Sequence, residues 1–308
     1  MSIVVVGSVA LDTIYTPRGS ARDTLGGSAA YFALAARHFS DVHVVAVVGE
    51  DFPAGHRALM AQGRVHLEGL STVAGGKTFR WAGEYNDDLG QRKSLSTELN
   101  VFETFQPELN AEQRRSTTVF LANIDPDLQL HVLEQVENPR LVVVDTMNYW
   151  ITSKRDRLLE LLRRVDIVLL NDEEAKLLAD DWSLPRAARK LHALGVKRLV
   201  IKNGEHGAAM FHGDDRFFTP AYPLDNPLDP TGAGDTFAGG FLGYLDAVGA
   251  THPMQFRRAM VVGTALASIA VEGFSPRRLT EAGRDEIAAR VDAVLHTMHC
   301  PPEPLWPA

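Results

Sequence analysis

What most limits how this chain can fold is a recurrence. Short, β-branched, almost wholly apolar runs fall at Ile3–Val6, Val42–Val48, Thr118–Leu121, Leu141–Val144, Ile167–Leu170 and Leu199–Ile201, with helical patterns between most of them. A strand apolar on both faces must be covered on both, and strands separated by helix-length segments join most readily as parallel neighbours. The pattern predicts an α/β three-layer sandwich with a mainly parallel central sheet, in one domain over residues 1–308. "GGSAAYFALAARHF" (26–39) has helix composition after a Gly-Gly break, and "SLPRAARKLHALG" (183–195) opens on Ser-Leu-Pro and stops at Gly, as helices do. "AMVVGTALASIAV" (259–271) is shorter than the roughly 20 residues of a bilayer span and reads as a packed core helix.

Charge narrows the partners. With 31 Lys and Arg against 39 Asp and Glu, the formal net charge of −8 gives no general attraction to nucleic acid or to an anionic membrane, and small ligands fit better. The single cysteine, Cys300, rules out an intrachain disulfide and suits a reducing, cytoplasmic setting. "MSIVVVGSVALDTIY" lacks a basic leader and carries Asp12 within its apolar run, so it is expected to be a buried strand and not a signal peptide.

One interval breaks the strand–helix rhythm. "KTFRWAGEYNDDLGQRKSLS" (77–96) alternates Phe79, Trp81, Gly83 and Tyr85 on one face and then turns at Asn86–Gly90, a β-hairpin pattern. Such a hairpin is expected to be a lid over a site, a dimerisation edge, or a plain edge hairpin.

The strongest chemical signal is "LDPTGAGDTFAGGF" (228–241). Pro230 discourages helix at Asp229 and pushes the turn into residues 231–234, so a helix is expected to start near Asp235, buried on much of its surface. The amides of Gly232, Ala233 and Gly234 then face an approaching anion with no bulky side chain in the way. Helix capping would by itself account for Asp235 but not for the glycines. An acid beside an anion hole combines the two parts needed to move a phosphoryl group onto a hydroxyl.

Other motifs carry less. "STVAGGKT" (71–78) nearly matches a P-loop, but Ser71 replaces the first glycine and a strand follows Lys77 where a P-loop needs a helix. In "NDEE" (171–174), Asn171 and Glu174 project from the carboxyl end of a strand, where open α/β sheets bind ligands, and helix capping and a magnesium shell are both open. Gly204 and Gly207 of "VIKNGEHG" (200–207) permit a tight turn near a phosphate chain. "HTMHC" (296–300) offers His296, His299 and Cys300 without a fourth ligand and reads as a helix-end surface, and the proline-rich tail after it as surface chain.

Taken in order, these motifs resemble the ribokinase family, the PfkB-type carbohydrate and nucleoside kinases, over nearly the whole chain. "DPTGAGDTFAGGF" is similar to the family's closing signature, "GSVALD" (7–12) to its first strand and substrate-binding acid, and "GGSAAYFA" (26–33) to its di-glycine helix start. "VGEDFPAG" (48–55) is similar to its Val-Gly-x-Asp-x-x-Gly element and "NDEE" to its Asn-x-x-Glu magnesium motif. The resemblance implies a ribokinase-like fold with a small β-hairpin lid built from segments near 10–25 and 77–100. It implies that Asp235 is the base, with the amides of Gly232, Ala233 and Gly234 around the transferring phosphoryl. Asp12, Gly26, Gly27, Ser28 and Tyr31 would border the substrate with Asp235. Asn171 and Glu174 would organise Mg²⁺, while Lys202, Gly204, Gly207 and Thr231 would lie along ATP with the glycine turn. Asp229 and Thr231 match positions that in several relatives line a monovalent-cation site, which makes K⁺ a candidate.

Departures bear on the acceptor. Ala10, Ser28 and Tyr31 stand where ribokinases place polar contacts to ribose, so free ribose loses the hydrogen-bond partners on which polyol discrimination depends. Tyr31, Phe79, Trp81 and Tyr85 suit a substrate with an apolar or planar face. The expectation is ATP-dependent phosphoryl transfer to a sugar, a cyclitol or, more narrowly, a nucleoside, in a protein that could dimerise through its lid. A ligand-sensing member of the fold without catalysis is the rival of another class.

Overall fold

A computed structural model describes residues 1–299. Its first strands are β1 (Ser2–Val6), β2 (Ala10–Thr16), β3 (Gly19–Gly26), β4 (Asp41–Gly49) and β5 (Val65–Val73). Then come β6 (Phe79–Tyr85), β7 (Arg92–Glu98), β8 (Thr118–Leu121) and β9 (Leu141–Asp145). The last are β10 (Ile167–Asn171), β11 (Arg198–Lys202), β12 (Ala208–His212) and β13 (Asp215–Thr219).

Nine of them form the central sheet in the order β13-β12-β11-β10-β9-β8-β1-β4-β5. All six apolar runs of the sequence lie in it as consecutive neighbours, β11 to β4, and all five pairings among them are parallel. Alternation within β1 shows why both faces are covered: Ile3 and Val5 pack into one core, Val4 and Val6 into the other. The helices Ser28–Ala36, Ala233–Val248 and Pro253–Ala270 cover the first face, and Asp172–Ala179 and Leu184–Ala193 cover the second. The expected core helix at 259–271 is the inner part of Pro253–Ala270, buried along most of its length. Helix packing there is close because Gly239 leaves no Cβ: one would sit 2.4 Å from the Phe32 carbonyl oxygen.

The lid is larger than a hairpin. Two antiparallel hairpins, β2–β3 and β6–β7, join through parallel β2–β6 pairing into a four-stranded sheet of order β3-β2-β6-β7. A hairpin alone has too little apolar face to hold its shape, and the second hairpin supplies a partner. The Asp51 carboxylate, within "VGEDFPAG", pins the lid's base: it accepts from the amide and hydroxyl of Thr78, both at 2.7 Å, and reaches Arg80 at 3.1 Å.

Lys77 is exposed in the β5–β6 connection, and a strand, β6, follows it, so "STVAGGKT" lacks the strand-to-helix context of a P-loop. Cys300 and the tail lie outside the described residues. Among the described residues no helix is long and apolar enough to cross a membrane.

Candidate active site

Three neighbouring parallel strands end at the same edge of the central sheet, and their last residues are Asp145, Asn171 and Lys202. The helix carrying Asp235 begins at this edge. Lys202 Nζ donates to Asp145 Oδ2 at 2.6 Å, and a Cβ on Gly234 would lie 3.2 Å from the same ammonium. The lysine therefore bridges the strand ends and the glycine turn. Burial opposes its charge, but Asp145, Glu174 and Asp235 outweigh burial and hold it above the usual lysine range.

The turn itself differs from the expectation in two respects. Helix begins at Ala233, so the cap is Gly232 in the left-handed region (φ 72°), and Asp235 lies inside the first turn with no capping bond from a side chain. Tyr31 explains why residue 232 is glycine, since a Cβ there would lie 2.4 Å from its ring. The amide of Ala233 is already given to the Pro230 carbonyl at 3.2 Å, because the turn closes on itself. Of the three expected donors, Gly232 and Gly234 have amides without an acceptor among the described residues.

Asp235 is pushed up to about 7, first by burial and then by Asp145, against the pull of Lys202 and Arg92. That places a carboxylate near the working pH of a general base. Asp12, also raised to about 7, owes its shift to burial and to Asp229 and Asp235, again opposed by Arg92. Gly26 makes room for it: a Cβ at 26 would fall 1.9 Å from Asp12 Oδ2. Gly27, at φ 95°, caps the Ser28 helix.

The Ser28 hydroxyl is engaged by Ser8, through the Ser8 amide and hydroxyl, each at 3.2 Å. This ties the helix start to the strand end. The Tyr31 phenol is fully buried and unpartnered, held well above its ordinary value by burial and by Asp229, Asp12, Tyr85 and Asp235.

Asn171 and Glu174 form the capping box that their spacing left open. Asn171 Oδ1 accepts from the Glu174 amide and Glu174 Oε2 from the Asn171 amide, both at 2.7 Å. Each side chain spends one oxygen on the cap. Glu174 is nonetheless raised well above the usual carboxylate range by burial and by Asp145, which a cation beside it would relieve. Asp229 is raised by burial; its Oδ1 accepts the Thr231 amide at 2.9 Å, while its Oδ2 is buried without a partner. Gly204 (φ 53°) opens the turn after β11 with empty space before it, and Gly207 approaches the Thr219 carbonyl too closely for any Cβ.

The lid closes over this floor. β2–β6 register sets Asp12 opposite Trp81, on one face, and β6–β7 register sets Tyr85 opposite Arg92. The Tyr85 hydroxyl lies 3.0 Å from the Thr231 hydroxyl, and Arg18 donates to the Pro227 carbonyl. Phe79 turns elsewhere, stacking on Phe102 at 5.4 Å.

Two residues of the site, Asp145 and Arg92, lie outside the sequence motifs. Asp145 was signalled by an acid at the carboxyl end of an apolar run. Arg92 was signalled by hairpin register, which pairs it with Tyr85; its charge pulls Asp12, Glu174, Asp235 and Tyr85 toward their ionised forms.

A family profile described as pfkB family carbohydrate kinase matches residues 1–282. The chain belongs to that family. A cytidine kinase of Thermococcus kodakarensis is 34% identical over 248 residues, covering 79% of this chain and 87% of its own. The nucleoside kinase of Burkholderia thailandensis, solved in complex with ADP-inosine, superposes with TM-score 0.79 at 19% identity, covering 96% of each chain. A putative ribokinase II from E. coli in complex with ATP and Mg²⁺ superposes with TM-score 0.75 at 19% identity, covering 94% of this chain and 99% of its own. These two show a shared ribokinase-like fold.

Proposed function

We propose that this pfkB-family kinase moves the γ-phosphoryl of ATP onto a hydroxyl of a nucleoside. One observation carries the chemistry: Asp235 sits in the first turn of the helix entered through the glycine turn, next to the Lys202–Asp145 pair at the strand ends, and burial there pushes it up to about 7. Asp235 takes the proton of the acceptor hydroxyl as the phosphoryl arrives, and the amides of Gly232 and Gly234 with Lys202 hold the charge that spreads over its oxygens. The proton leaves the acceptor as the new O–P bond forms and the bond to ADP breaks. Asp12 accepts from other hydroxyls of the acceptor.

Mg²⁺ suits the Glu174 side of the floor, because it is held by one or two carboxylates with waters and phosphate oxygens; when bound it neutralises phosphate charge. Asp229 Oδ2, buried and unpartnered, fits a monovalent cation such as K⁺ beside Thr231. Gly204 leaves room for the phosphate chain.

The nucleoside assignment rests on 34% identity to a cytidine kinase over most of the chain and on Trp81 lying beside Asp12 on the inner lid face, where a planar base can stack. A cytoplasmic setting accords with an ATP donor, and β7, an edge of the lid sheet exposed at every residue, supports a dimer in which two copies pair along it.

ADP release measured with cytidine, other nucleosides, ribose and a cyclitol tests the acceptor. Turnover with one or more nucleosides, well above ribose, is the expected result. Turnover confined to ribose or the cyclitol would overturn the assignment.

A further inference from the structure

Two adjoining depressions lie at the other end of the helix that begins beside Asp235, and neither borders the residues of the cleft. The first, about 380 Å³, is walled by Arg37, His38, Gln62, Arg64 and Arg284. The second, about 350 Å³, shares His38 and Arg284 and runs on over Phe39, Tyr244 and Ile287, with Arg258 and Asp292 also in its wall. Phe39 and Tyr244 meet edge to face, their ring centres 6.4 Å apart.

Charge separates this region from the rest of a chain whose net charge is −8. Arg64 is neutralised by Asp41 at 2.7 Å. Arg37 donates only to uncharged oxygens, the carbonyls of Gln62, Leu279 and Thr280 and the Gln62 side chain, at 3.3–3.4 Å. Arg37, Arg258 and Arg284 pair with no carboxylate among the described residues. Arg37, Arg258 and Arg284 thus line the two depressions with a single carboxylate, Asp292, in the wall, next to an aromatic and aliphatic surface. His38 responds to the same field: burial, then Arg37, then Arg284 hold its imidazole below its ordinary value, against a bond with the Leu279 carbonyl.

We infer that the joined depressions bind an anion carrying a planar or apolar body, the chemistry of a nucleoside phosphate. The phosphate lies against the Arg284 guanidinium, whose forked donors match its oxygens, with the charge of Arg37 beside it, and the body lies against Phe39 and Tyr244. This site stands independently of the chemistry assigned to the Asp235 cleft.

Histidine-resolved NMR of the full chain reads the site at His38, away from nucleotide bound in the cleft. The probes are AMP, inorganic phosphate and adenosine. AMP is expected to shift the His38 resonances saturably and to raise the His38 pKa, because an anion offsets Arg37 and Arg284; phosphate should act more weakly and adenosine least. The double variant Arg258→Glu, Arg284→Glu, at an intermediate and an exposed position, is expected to weaken the AMP response at least about tenfold while turnover without added AMP stays near the wild-type value. A His38 that AMP does not move, or a double variant that responds like wild type, would overturn the site. Phosphate acting as strongly as AMP would overturn the apolar half of the assignment.

Discussion

β9, β10 and β11, which end in Asp145, Asn171 and Lys202, are buried along almost their whole length, whereas β7, which brings Arg92, is exposed at every residue. The floor is fixed by a sheet packed on both faces. The inner lid strands share the core through Leu11 and Leu25, while the outer lid meets the floor through polar contacts: Tyr85 with Thr231, Arg18 with Pro227, and Asp51 with the base of β6. Groups that must hold a reacting geometry gain from the first environment, where water is scarce and acids titrate near neutrality. Groups that must admit and then enclose a substrate gain from the second, where β7 can move without uncovering buried surface of its own. The division of labour can be broken by substitutions on either side.

The largest effect is expected on the floor. Asp235→Asn should lower kcat by about three orders of magnitude or more with nucleotide affinity nearly unchanged, as when a base that positions its nucleophile is removed; steady-state kinetics beside calorimetric titration of nucleotide checks both halves. Lys202→Met comes next. It leaves Asp145 without its partner in a buried site, a loss of about 3–5 kcal/mol of stability, and should cost roughly 10²-fold in kcat. Because Lys202 pulls Asp235 down, its removal also moves the acid limb of the rate profile to higher pH.

Lid variants should act more gently. Tyr85→Phe removes the hydroxyl contact with Thr231, about 0.5–1.5 kcal/mol, and should raise KM several-fold while leaving the thermal midpoint of the core in place. A kcat loss as deep as that of Asp235→Asn would erase the distinction between floor and lid. The smallest effect is on stability. Asp12 titrates near 7 when folded and near 4 when unfolded, so the folded chain holds the extra proton between those values and its stability falls as pH rises through that window. Asp12→Asn should therefore raise the melting temperature of the ligand-free protein at pH 8 by a few degrees, and by less at pH 5.

The sheet was legible because buried parallel strands are apolar on both faces, and the six runs need no tertiary context to be seen. β5 was not: "VHLEGLSTV" is largely exposed along an edge, so its polar residues hide the period. β12 and β13 escaped as well, since an antiparallel edge hairpin adds no strand–helix rhythm. The lid's second half, β2–β3, was placed by resemblance, but its joining with β6 into one sheet is a long-range pairing that no local pattern encodes. In the site, motif residues were readable from spacing, whereas the Ala233 amide's bond to Pro230 and the Ser28–Ser8 pair depend on where the chain returns. Asp145 carries one signal only, an acid closing "LVVV", and no motif around it marks it out as a site residue.

The pH dependence of kcat, for wild type and Asp235→Asn side by side, tests the base assignment most directly. At saturating acceptor and Mg²⁺, which hold Asp12 and Glu174 ionised, wild-type turnover should fall as pH drops through about 7, with the residual activity of Asp235→Asn flat over the same range. An acid limb retained unchanged in Asp235→Asn, or a wild-type profile flat down to pH 5, would show that another group removes the proton.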